Sequence, residues 1–196
     1  MTPSEFDRQL DTYVAAGFGA VPGFASSAGA ARDAFESAEA GDLPATLVVR
    51  ASLVGEQLLV SGIDRQDGKP QTVIHAAEMA EYNERDGVEV PDADVYVLSG
   101  ISKEVGTRNV APSGALEQIL TAGRSPLTIE EGLAIWRMHP EAIAENDGLS
   151  LAGSTRGDKR VPAIWISRKR PKLGWCFYGV PHTWLATASC SARLSA

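Results

Sequence analysis

Val161-Pro162-Ala163-Ile164-Trp165-Ile166-Ser167, then Arg168-Lys169-Arg170-Pro171-Lys172, then Leu173-Gly174-Trp175-Cys176-Phe177-Tyr178: two apolar runs flank a five-residue link with four basic groups. Each run has the length of a strand and is rich in β-branched or aromatic residues. The link holds a proline, which would cost a ladder hydrogen bond inside a central strand, so the link is expected to be the connection. In strand phase Trp175 and Phe177 share one face, and Cys176 and Tyr178 share the other. One face is expected in the core and the other is a candidate platform. Thr183–Ser191 then alternates Trp184, Ala186, Ala188 and Cys190 against Thr183, Leu185, Thr187 and Ser189. That pattern predicts a third strand of an antiparallel meander.

Upstream, helices are well signalled. Ser4 can cap a helix whose face carries Phe6, Leu10, Tyr13 and Val14, ended by Gly17. Residues 19–30 are mostly Gly, Ala, Ser and Pro, which reads as a loop, and Ala30–Ala40 as a short helix. Thr46–Val54 and Gln57–Ile63 read as strands, with Gly55-Glu56 as a two-residue hairpin turn. Asp64–Pro70 reads as a polar loop, Thr72-Val73-Ile74 as extended chain, His75–Glu84 as a helix and Asp94–Gly100 as a strand. Ser113–Ala122 is expected to be helical, with Leu116, Ile119 and Leu120 inward. Thr128-Ile129-Glu130-Glu131 is a capping box that opens a helix bearing Ile129, Leu133 and Trp136. Pro140 ends it and starts a short helix over 140–145. The class expected is α+β: N-terminal helices and a hairpin packed with a C-terminal antiparallel β-meander. Residues 1–196 read as one domain, with 1–90 and 91–196 as subregions.

The chain has 196 residues, 44% hydrophobic and 22% charged, which excludes a mostly disordered protein. No apolar run approaches the roughly 18 residues of a membrane-spanning helix. The N-terminus shows no basic segment followed by an apolar one, so no secretory signal is read. Two cysteines are too few for a disulfide framework. The expectation is a cytoplasmic protein with reduced thiols.

Charge is divided unevenly. Residues 1–150 hold 24 acidic and 10 basic groups, a net of −14. Residues 151–196 hold one acid, Asp158, and eight bases, a net of +7. A basic edge on an acidic body attracts a phosphate, a carboxylate or an acidic partner within about 8 Å, the Debye length at physiological salt. The competing expectation is that these bases pair with the protein's own acidic half.

Gly153–Arg160 combines small residues, hydroxyls and three bases, a set that can surround an anion. It lacks the spacing of a P-loop. Arg156, Lys159 and Arg160 are the candidate anion contacts, with Trp175, Tyr178 and His182 as the wall beside them. His182, alone or with Cys176, is the candidate for acid–base or nucleophilic chemistry. Cys176, His182 and Cys190, with His139 or His75 as a fourth ligand, lack the close pairs of a structural zinc site, so no metal is expected. Glu130 and Glu131 are adjacent and point apart on a helix; the cap accounts for Glu131. Three readings follow. The first is a non-enzymatic binding or accessory protein for a small anionic ligand or an acidic protein surface. The second is a small enzyme using His182. The third is nucleic-acid binding through 168–172, which a pI near 5.0 opposes. All assume that the cationic, tryptophan-bearing end opens to solvent.

Gly123–Gly132, Gly157–Trp165, Pro171–Cys176 and Pro181–Leu185 together resemble an actinobacterial family of uncharacterised proteins of similar length. The resemblance covers about residues 75–196. Phe177, Val180 and Ala186 stand where its pattern has Trp, Asn and Gly. It implies a bacterial cytoplasmic protein whose C-terminal segment matters, and it transfers no mechanism, cofactor or catalytic residue.

Overall fold

The computed structural model describes residues 4–62, 65–66, 69–70 and 74–196, of which 65–66 and 69–70 by backbone alone. In chain order the elements are α1 (Glu5–Ala15), α2 (Phe24–Ala30), α3 (Arg32–Ser37), β1 (Thr46–Val49), α4 (Ala51–Val54) and α5 (Glu56–Leu59). There follow β2 (Arg65–Gln66), β3 (Lys69–Pro70), α6 (Ala76–Met79), β4 (Asn83–Glu84), β5 (Val95–Ser99), α7 (Pro112–Thr121), β6 (Ser125–Pro126) and α8 (Ile129–Met138). The chain ends with β7 (Gly148–Ser150), β8 (Ser154–Thr155), β9 (Arg160–Ser167), β10 (Arg170–Phe177), β11 (Leu185–Thr187), β12 (Ser189–Cys190) and β13 (Ala192–Leu194). The fold is α+β, with helices dominating the N-terminal part and antiparallel strands the C-terminal part.

β5 is the centre of the first sheet, ordered β1-β5-β13, and all five of its residues are buried. Its near-continuous apolar run reflects burial on both faces. β1 is an edge strand, and α1 seals it. The buried Gln9 side chain donates to the Ala45 carbonyl and accepts from the Leu47 N–H, both at 2.8 Å, and the Tyr13 hydroxyl donates to the Leu47 carbonyl. An edge closed by side-chain amide and phenol groups offers no template for a second chain. Phe6, Gln9 and Tyr13 form the buried face of α1, and Val14, expected inside, is exposed.

Several expectations are corrected. The loop over 19–30 contains α2, because Phe24 and Ala28 are buried and Phe24 meets Tyr13 and Phe18 edge-on at 6.0 Å. The N-terminal hairpin does not form. β1 pairs with β5, while Gly55 (φ +78°) separates two one-turn helices where the second strand was expected. The helix expected over His75–Glu84 is the single turn α6, since Asn83-Glu84 pair instead with Ser154-Thr155. α3 is shorter than Ala30–Ala40, and the helix after Pro140 is one 3₁₀ turn, Pro140–Ala142. Leu120 of α7 faces out. The Asp64–Pro70 loop and the extended Thr72-Val73 lie largely outside the described residues.

The capping box of α8 forms as read: Glu131 Oε2 accepts the Thr128 N–H at 2.7 Å and Thr128 Oγ1 accepts that of Glu131. α8 lies between the sheets. A Cβ on Gly132 would overlap the Leu151 side chain, which would have to shift to admit it. The second sheet is ordered β10-β9-β7-β11, with β9 and β10 forming the expected antiparallel hairpin. The third strand departs from a meander. β11 runs parallel to β7, β12 pairs with β6, and β13 joins β5 in the first sheet. Residues 185–190 are all buried, so alternation there carried no information about which sheet they enter. Pro171 sits inside β10 rather than in the link. β10 is an edge strand, where a missing N–H costs no ladder bond.

Candidate functional site

The β9–β10 hairpin distributes the C-terminal aromatic residues over two faces. On one, Leu173 and Ile164 enter the main core, Trp175 packs half-buried against it, and Phe177 meets Trp175 edge-on at 5.1 Å. On the other, Val161, Ala163 and Cys176 form a smaller cluster with Ala152 and Leu185, against which Trp165, Tyr178 and Trp184 pack. Trp184 lies 5.8 Å from Trp165 and 5.4 Å from His182, ring to ring. Trp175 therefore does not share a wall with Tyr178 and His182, as the sequence reading had it; the sheet separates them.

Arg160 stands opposite Phe177 in the register, on the Trp175 face. Its guanidinium lies 5.0 Å from the centroid of the Trp175 ring. Its Nε is 3.6 Å from the Asp158 carboxylate, beyond hydrogen-bond distance, and the Asp158 carboxylate is held instead by the Arg160 backbone N–H at 2.8 Å. Phe177 is 48% exposed and Val180, one turn later, 43%. Lys159 is exposed, and its carbonyl accepts the Tyr178 N–H.

Two other bases pair with carboxylates of the acidic half, as the competing expectation has it. Arg156 pairs with Glu81, lies 3.6 Å from Asp158 and sits over the Tyr82 ring. Arg193 is buried, and Glu131 takes its Nε at 2.5 Å and Nη2 at 2.9 Å. Arg168 and Lys169 form the two-residue hairpin tip, both with positive φ, and Glu145 accepts the Lys169 N–H.

Cys176 and Cys190 lie in different clusters, both buried and free. Burial pushes each thiol up to about 12, so neither carries a thiolate near neutrality. Among the described residues no three His, Cys, Asp or Glu side chains are placed to hold a metal ion. His139 is in the main core, its Nε2 3.0 Å from Thr46 Oγ1. His182 is half-buried; its carbonyl accepts the Asn109 N–H.

The sequence reading missed one feature: a polar cavity between α4, β4, β8 and the start of α8, with Arg50, Tyr82, Glu84 and Glu130 on its wall. Its signal was the odd carboxylate of the Glu130-Glu131 pair. Once the cap claims Glu131, Glu130 points elsewhere. Ser154 links this cavity to the 153–160 loop, since its Oγ accepts the Ile129 N–H at the start of α8.

Fold and site together describe an α+β protein with a cation–aromatic surface on one face of its C-terminal hairpin. The chain belongs to a family of unknown function, DUF5701, matched over residues 12–196. The match extends well upstream of the 75–196 segment from which the resemblance was read. No curated protein and no solved structure matches the chain.

Proposed function

We propose that this protein is a non-enzymatic binding or accessory protein, and that its partner is an acidic protein surface engaged by Arg160, Trp175 and Phe177. The observation that carries the reading is the Arg160 guanidinium over the Trp175 ring, 5.0 Å from its centroid, beside the exposed Phe177. A guanidinium stacked on an indole keeps its edge N–H groups for a carboxylate, and the adjacent exposed aromatic supplies apolar area to bury. Among the described residues that guanidinium makes no hydrogen bond. A small anion at the 153–160 loop is favoured less, because Arg156 there is already paired with Glu81.

The reading treats residues 1–196 as one domain, because one apolar cluster runs from Phe6 to Cys190. A reducing cytoplasmic setting fits two unpaired, buried thiols. No helix among the described residues is long and apolar enough to cross a membrane.

Titration of a labelled peptide rich in Glu, Asp and Phe tests the proposal. Arg160→Ala is expected to weaken binding about tenfold, ~1.4 kcal/mol, and Phe177→Ser to weaken it as well. Arg168→Ala, at the hairpin tip, is expected to leave it nearly unchanged. Equal affinity for wild type and Arg160→Ala overturns the proposal.

A further inference from the structure

The cavity at the start of α8 is built by five separate segments of chain and has a volume of about 220 Å³. That is room for a molecule of amino-acid size rather than a nucleotide. We propose that it binds a small aliphatic ligand carrying a primary ammonium or guanidinium group.

The charge balance of the wall points to that chemistry. Three carboxylates, Glu56, Glu84 and Glu130, line the cavity with one guanidinium, Arg50. Arg50 is already divided between two of them: its Nε lies 2.5 Å from Glu130 and its Nη2 donates to Glu84 at 2.7 Å. The Ala51 N–H donates to the other Glu130 oxygen at 2.8 Å. Formal charge on the wall is thus two negative units in excess. The helix N-terminus contributes about half a positive charge, which offsets only part of it.

Glu130 shows the consequence. Burial, chiefly, and the nearby Glu84 and Glu131 carboxylates hold its pKa above the usual carboxylate range despite Arg50. A bound cation relieves that strain directly, whereas an anion would add to it.

A second observation is independent of the carboxylates. Tyr82 lines the cavity and is more than nine-tenths buried; the Arg156 guanidinium lies beside it, but its hydroxyl makes no hydrogen bond of acceptable geometry among the described residues. A buried polar atom without a partner costs about 1–3 kcal/mol, which a ligand N–H recovers. Met79 adds an apolar wall for a short alkyl chain. A bare metal ion is not the fit, because the guanidinium occupies the space between Glu84 and Glu130.

The test is calorimetric titration with agmatine and 1,5-diaminopentane, using 1-pentanol and pentanoate as matched neutral and anionic probes. Wild type is expected to bind the two amines and neither control. Glu84→Gln and Glu130→Gln are each expected to lower amine affinity at least fivefold. Glu117→Gln makes the same charge change on the exposed side of α7 and is expected to alter it less than twofold. If Glu130→Gln fails to fold, Glu84→Gln and Glu56→Gln, outside the buried core, decide the matter. Amines that fail to bind, or bind no better than the alcohol, overturn the proposal. Equal losses in Glu84→Gln and Glu117→Gln overturn it too.

Discussion

Arg193→Met removes the cation from a buried cluster and leaves its partners in place. Glu131 is fully buried, and its carboxylate accepts from Arg193 Nε and Nη2, from the Tyr96 hydroxyl at 2.7 Å, and from the Thr128 N–H. Arg193 also donates to Ser125 Oγ and the Pro126 carbonyl. Methionine matches the stem but supplies no charge, so the Glu131 carboxylate is stranded without a counter-ion. Breaking one side of a buried pair costs about 3–5 kcal/mol. At 2–4 °C per kcal/mol for a chain of this size, that is a fall in Tm of roughly 6 to 20 °C. Urea unfolding followed by circular dichroism reads the same quantity as a lower midpoint at unchanged slope. A loss below about 1 kcal/mol, the figure for an exposed pair, would refute the reasoning that this pair ties β13 to the start of α8.

Three further outcomes are expected. Burial first, and then Arg8, holds His139 below its ordinary value of 6.5, so the unfolded chain takes up a proton that the folded chain does not. Stability contributed by the neutral ring is therefore full above about pH 6.5 and falls as pH drops toward the folded value; His139→Gln should flatten this part of the urea-midpoint profile. Gly153→Ala should destabilise by about 1–3 kcal/mol in the same assay, because its Cβ would strike the backbone of Pro126 and Leu127, which cannot yield. Arg160→Ala should change stability by less than about 0.5 kcal/mol, since its guanidinium is at the surface and makes no hydrogen bond among the described residues.

The sequence was most legible where local chemistry and tertiary contact agree. The Ser4 cap, the Thr128 capping box, β5 and the β9–β10 hairpin stand where turn chemistry and apolar periodicity put them. It misled where a distant partner overrides local preference. The β-branched run at Thr46–Val54 and the run after Gly55 resemble a hairpin, yet β5 lies 46 positions or more along the chain and takes the pairing of β1. The final run, Leu185–Leu194, visits three sheets, and no local pattern encodes that route. The candidate site was half legible. The bases and aromatics were visible, but their division between two faces depends on the hairpin's phase and on which face α8 and the core cover. Arg193 looked like its neighbours in composition and is instead an internal ion. The Arg50–Glu130 cavity depends on residues 80 positions apart and left only the unused carboxylate as a trace.

The face claim can be read directly from the indole N–H signals of ¹⁵N-labelled protein as an acidic, phenylalanine-bearing peptide is added. Trp175, on the Arg160 side of the sheet, should shift progressively while Trp165 and Trp184, on the opposite side, stay still, and Arg160→Glu should abolish the shift. Movement of Trp165 and Trp184 with Trp175 unmoved, or no movement in any indole, would contradict the account.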